Sequence, residues 1–126
     1  MGGGVDGCPG GWIAAFVRPA GDDCVIAVYP HFAEVLRAPH TPAIVAVDIP
    51  IGLPEQAGHC GRAAEYAVRP WLGQRQSSVF AVPSRTAVYA PDYGAACHAA
   101  LATSQSPRKV SKQLFNISPK IREVDA

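Results

Sequence analysis

Two aspartates stand at the ends of two apolar, strand-like runs: Asp6 in Val5-Asp6-Gly7-Cys8-Pro9-Gly10-Gly11-Trp12, and Asp48 in Ile44-Val45-Ala46-Val47-Asp48-Ile49-Pro50-Ile51-Gly52. A carboxylate placed there leaves the hydrophobic layer where a neighbouring strand can bring a second one close. Paired carboxylates are what a hard divalent cation takes as ligands. If the two strands are neighbours, the chain carries a metal or acid–base site. The competing reading of Asp6 is a turn aspartate that accepts from the amides of the glycine-rich hairpin, as short polar side chains readily do. Asp48 has fewer free amides within reach, because Pro50 and Pro54 lie in the loop that follows it.

The elements that must position these acids are legible from pattern. Residues 12–17 are apolar and begin just after Gly10-Gly11, whose freedom at positive φ favours a tight hairpin back from the strand that ends near Asp6. Asp22-Asp23 makes a turn, and residues 24–29 form a third strand rich in β-branched residues. Pro30 ends it. Phe32, Val35 and Leu36 share one face of a helix over 31–37, closed by Pro39 and Pro42. Residues 43–47 are continuously apolar, as a strand buried on both faces reads, and a strand after a helix is the parallel crossover pattern. Asp48 therefore falls where a central parallel strand surfaces.

Residues 49–54 form a shaped loop, since Pro50 and Pro54 lack donors and Gly52 is permissive. A helix over 60–72 follows, with Ala63, Ala64, Ala67, Val68 and Trp71 along one side and Pro70 kinking or ending it. Residues 77–85 read as a short strand and loop, and 93–103 as an alanine-rich helix. The segment 104–126 mixes Ser, Pro and basic residues with isolated apolar ones, and the chain shows no internal repeat or clear low-complexity tract. Trp12 and Trp71 read as core residues rather than stacking platforms.

With 126 residues and a 48% hydrophobic fraction, the chain has room for one domain with a modest core. No apolar run approaches the roughly 20 residues that span a bilayer, and no basic segment followed by an apolar stretch opens the chain, so a cytoplasmic protein without a membrane partner is expected. Cys8, Cys24, Cys60 and Cys97 lack C-x-x-C spacing, which points to reduced thiols rather than a disulfide framework or a zinc ribbon. His31, His40, His59 and His98 show no partner pattern of a catalytic dyad or triad. The net charge of +1 is unevenly placed: residues 1–61 hold two basic and six acidic side chains (2 − 6 = −4), residues 62–126 nine and four (9 − 4 = +5). That polarity suits a metal site beside an anion-binding surface. Arg62, Arg75, Arg85 and Lys120 are candidates for phosphate contact because guanidinium and ammonium groups match phosphate oxygens, the alternative being surface ion pairs. Arg75 is favoured, since it adjoins Ser77-Ser78, whose hydroxyls and amides could meet the same anion.

The motifs Val5-Asp6-Gly7-Cys8-Pro9-Gly10-Gly11-Trp12, Val47-Asp48-Ile49-Pro50-Ile51-Gly52-Leu53-Pro54, Gly61-Arg62, Leu72-Gly73-x-Arg75-x-Ser77-Ser78-Val79-Phe80 and Gln113-x-Phe115-x-Ile117-x-Pro119-Lys120-Ile121 resemble, in this order, those of the family catalogued as domain of unknown function 429 (DUF429). That family is predicted to hold nucleases of RNase H-like fold. The resemblance implies an α/β domain over 1–126 in which an antiparallel β1-β2-β3 meander is followed by a helix and a parallel β4 beside β1, with helices on the faces. It also implies that a further acidic motif, near a Glu-x-His-Pro-Glu segment, follows beyond residue 126, so the chain reads as a C-terminally truncated or partial form.

In function the resemblance implies metal-dependent hydrolysis of a phosphodiester, with Asp6 and Asp48 holding one or two Mg²⁺ or Mn²⁺ ions and Glu65 as a third catalytic acid, the alternative being a solvated helix residue. Arg62, Arg75, Ser77, Ser78 and Lys120 then fall to phosphate or substrate binding. Nucleic acid or a nucleotide would be the partner. Two other readings stand beside it. Asp6 before a glycine-rich hairpin also resembles the phosphate-binding turn of actin and sugar-kinase ATPases. A non-catalytic interaction module, with a second copy covering an unfinished sheet edge, is the third.

Overall fold

Gly11 sets the first turn. Its φ is +121°, and a Cβ there would lie 2.2 Å from the carbonyl oxygen of Tyr29 and 2.7 Å from that of Pro30, so only glycine lets three chain segments meet at this corner. In the computed structural model, which describes residues 1–126 other than Asp22 and Thr41, strand β1 (Gly2–Cys8) turns through Pro9-Gly10 into β2 (Gly11–Val17), with Cys8 opposite Gly11. Strand β3 (Cys24–Tyr29) pairs antiparallel with β2, and β4 (Ile44–Val47) pairs parallel with β1. The sheet order is β3-β2-β1-β4. This is the expected α/β arrangement of a mixed sheet, an antiparallel meander plus one parallel strand. The turn expected at Asp22-Asp23 falls in part on Asp22, outside the described residues.

Alternation decides which face is core. Trp12, Ala14 and Phe16 of β2 and Val5 of β1 are buried, and helix α1 (Phe32–Leu36) lays Phe32 and Val35 on the same side. The Trp12 and Phe32 rings lie 5.0 Å apart, tilted at 58°. Burial of each of these large side chains stabilises by about 1.5–3 kcal/mol. The opposite parity carries Ile13, Val17, Ile26, Val28 and Ile44, all exposed.

Two expectations need correction. β1 does not end near Asp6 but runs on to Cys8, because the hairpin with β2 keeps its amides paired. β4 is an edge strand and not a strand covered on both faces: its residues alternate exposed and half-buried, and Ile44 is 73% exposed. A short apolar run contains no signal for which of its faces is covered.

The chain divides into two compact units, Met1–Ile49 and Pro50–Asp125. The second contains α2 (Ala63–Val68), a 3₁₀ segment (Arg69–Ser78), α3 (Arg85–Val88), α4 (Tyr93–Ala102) and α5 (Lys112–Asp125). Its core gathers Val82, Val88, Ala96, Ala100, Leu114 and Ile121. Ser84, fully buried, caps α3 by accepting from the Ala87 amide at 3.3 Å and bonds the Thr103 hydroxyl at 2.7 Å. Asp92 caps α4 through the Ala95 amide at 2.8 Å.

Here too the structure differs from the pattern reading. The helix expected over 60–72 is α-helical only to Val68. Pro70, which lacks an N–H, stands at the start of the 3₁₀ segment, which kinks at Gly73 (φ 52°) and reaches Ser78, so Ser77 and Ser78 are not in the expected strand. Trp71 is not core but 88% exposed, and the buried residue of α2 is Glu65 rather than its alanines. The segment 104–126, to which the pattern assigned no element, holds α5, a helix of 14 residues that keeps Pro119 within it.

Candidate functional site

Asp6 and Asp48 each directly follow the last residue paired between β1 and β4. The parallel register pairs Gly2 with Ile44 and ends with Val5 beside Val47, and the Asp48 amide donates to the Val5 carbonyl at 3.1 Å, extending the ladder by one bond. The pairing stops there: Asp6 is the next residue of β1, and Asp48 is the first residue of the bend after β4. Both aspartates are exposed. Asp6 thus marks the point at which β1 parts from β4 and continues with β2 alone. Its Oδ1 accepts from the Gly7 amide at 2.7 Å, which is the turn-aspartate interaction.

Glu65 and Arg62 belong to the second unit and hold each other. Arg62 is the N-cap of α2, and the Glu65 carboxylate reaches back to its amide at 2.7 Å, half of a capping box. The Arg62 guanidinium grips the same carboxylate through Nε at 2.8 Å and through its second nitrogen, while its remaining nitrogen donates to the carbonyls of Ile51 and of Gly52, the latter at 2.8 Å. Glu65 is 5% exposed, so it is not a solvated helix residue. A buried carboxylate needs such a partner. Arg62 braces the loop that follows Asp48, and its donors are spent on that task.

The remaining candidates are spread over the second unit. Arg75, Ser77 and Ser78 lie exposed on the 3₁₀ segment, and Lys120 is half-buried on α5. Arg85 pairs with Asp125 of α5 and stands 3.9 Å from Glu55. Ser77 also lines a cavity of about 300 Å³ together with His59, Phe80, Arg108, Lys109 and Ser111. Pattern reading passed over His59, Arg108 and Lys109. The partner of His59, the Ser106 hydroxyl 2.6 Å from Nδ1, is 47 positions away in sequence, so no local motif announced it. Adjacent Arg108-Lys109 was the available signal.

Residues 4–126 match the sequence model of the family described as Protein of unknown function (DUF429). The chain belongs to the DUF429 family. No curated protein and no solved structure matches it. All the candidate residues of this DUF429 chain fall within the matched span. Among the described residues no group of three or more His, Cys, Asp or Glu is placed to hold a metal ion. Asp6 and Asp48 are two carboxylates, hard oxygen donors of the kind that Mg²⁺ or Mn²⁺ takes. Mg²⁺ commonly binds through one or two carboxylates and keeps several waters, so a third acid is not a requirement of its chemistry.

Proposed function

We propose that this DUF429 chain is a metal-dependent hydrolase of phosphodiesters, built on an RNase H-like sheet, with Asp6 and Asp48 as the cation-binding acids. The observation that carries the reading is the register of β1 and β4, which sets Val5 beside Val47, the residues immediately before the two aspartates. When bound, the cation lowers the pKa of a water and offsets charge on the phosphate oxygens. The chain's own part is positional. The Gly7 amide fixes one oxygen of Asp6 and leaves the carboxylate's other oxygen as a donor, and the ladder bond from the Asp48 amide fixes the backbone that carries the second acid. Order β3-β2-β1-β4 with only the last strand parallel supports the fold assignment.

The test is cleavage of a mixed-sequence oligonucleotide in Mg²⁺ or Mn²⁺ by the wild type and by Asp48→Asn. A ligand lost from a site that supplies several kcal/mol should slow cleavage by about a hundredfold or more. Excess chelator should abolish it in the wild type. Equal rates for the two proteins would sink the proposal.

A further inference from the structure

The cavity of about 300 Å³ in the second unit is lined only by residues between Ala57 and Gln113, and neither Asp6 nor Asp48 contributes to it. Its lining joins three basic residues, His59, Arg108 and Lys109, to the hydroxyl-bearing Ser77 and Ser111, with no acidic residue among the described ones. Among the described residues, neither Arg108 nor Lys109 enters an ion pair. Ser104 and Gln113 also line it, and the rest of the wall is apolar, with Phe80, Val82, Ala100 and Val110 among its residues. The surrounding unit carries nine basic and five acidic residues (9 − 5 = +4), so its field favours anions.

The walls are held by specific bonds. Ala57 bridges in parallel to Ser104, its amide donating to the Thr103 carbonyl at 2.9 Å and its carbonyl accepting from the Gln105 amide at 3.0 Å. The Arg69 guanidinium spans two rims, donating to the carbonyls of Cys60 at 2.6 Å and Val79 at 3.2 Å. Ser106 holds the His59 ring. At Gly61, with φ +97°, a Cβ would come within 3.0 Å of the Val82 amide nitrogen, so glycine allows the two walls to approach. A site held in shape before binding loses less free energy to ordering its ligand contacts.

We propose that this pocket binds a small phosphate ester with an apolar or aromatic body, of the nucleoside monophosphate class. The volume stands at the lower end of small-molecule sites, roughly 300–1,000 Å³, which suits one nucleotide and not a polymer. The basic residues and hydroxyls receive the phosphate, and Phe80 provides an aromatic surface of the kind on which bases stack. The inference is independent of the metal reading and stands or falls separately.

Calorimetric titration of the full chain at low salt with AMP, adenosine and inorganic phosphate tests it. AMP should bind saturably, and at least about tenfold more tightly than either fragment, since each loses one class of contact. The double variant Arg108→Gln/Lys109→Gln, at exposed positions, should weaken AMP about tenfold or more with an unchanged circular dichroism spectrum. Asp48→Asn should bind AMP as the wild type does, even if its cleavage activity is lost. Absence of saturable AMP binding, or equal AMP affinity in the folded double variant, would overturn the proposal. Adenosine binding as tightly as AMP would remove the anion site, and inorganic phosphate doing so would remove the pocket for the body.

Discussion

Ser84 holds more than its size suggests. Its hydroxyl accepts from the Ala87 amide and donates to Thr103, whose own hydroxyl donates to the Ala99 carbonyl at 2.7 Å, so one side chain caps α3 and joins it to the end of α4. Ser84→Ala removes the cap and strips Thr103 of a buried partner; a loss of about 1–2 kcal/mol is expected in urea unfolding, and an unchanged midpoint would refute it. Asp125 gives a pH signature. The Tyr89 hydroxyl, donating at 2.8 Å, and then Arg85 hold its carboxyl below the usual aspartate range, against the opposing effect of burial. A depressed folded pKa contributes stability that is complete above the unfolded value of about 3.9 and is lost as pH falls through the folded one. Asp125→Asn should therefore flatten the fall of melting temperature below about pH 4 while leaving its slope near neutrality unchanged. At this scale the sequence disclosed residues by their place at the end of an apolar run, Asp6 and Asp48 above all. It concealed those whose role depends on a partner: Glu65 reads as a surface acid until the Arg62 fork is seen around it, and Trp71 reads as core until its element turns it outward.

Elements were legible in proportion to how local their causes are. β2 and β3 follow from apolar and β-branched runs bounded by glycine or proline at the turns, and their spans agree closely with the pattern, whereas β1 runs on past Asp6 to Cys8. α5 was lost to the pattern because Pro119 normally breaks a helix, although Leu114, Ser118 and Ile121 recur at the spacing of a buried face. The helix tolerates Pro119 because packing of that face outweighs one missing backbone bond, and Ser118 turns its hydroxyl to the Leu114 carbonyl at 3.1 Å. Pro119 is exposed, so Pro119→Ala changes little besides the backbone. It should raise the stability of the chain by about 1–2 kcal/mol, the restored hydrogen bond and relieved clash being set against the greater freedom of the unfolded chain. Chemical denaturation with circular dichroism checks this, and a lower midpoint would show that the proline is accommodated without strain.

For the whole molecule, charge and apolar exposure act together. A net charge of +1 on 126 residues gives little mutual repulsion near neutral pH, while Ile26 and Ile44 are largely exposed. Ile26→Lys, on a residue that is 66% exposed, should raise the concentration at which light scattering first detects aggregates, with no change in melting temperature; unchanged aggregation would place its cause elsewhere. The division of charge, acidic up to residue 61 and basic after it, was readable in the sequence, whereas the cavity that concentrates part of the basic charge was not, because its walls come from segments up to 56 positions apart (113 − 57 = 56). Arg62 has a temporal consequence as well. One guanidinium grips the carboxylate of Glu65 and the carbonyls of Ile51 and Gly52, so the first turn of α2 cannot fray without releasing the loop behind Asp48. In hydrogen exchange the amides of these two stretches should open as one event with a single rate, and loss of the fork should let each keep its own clock.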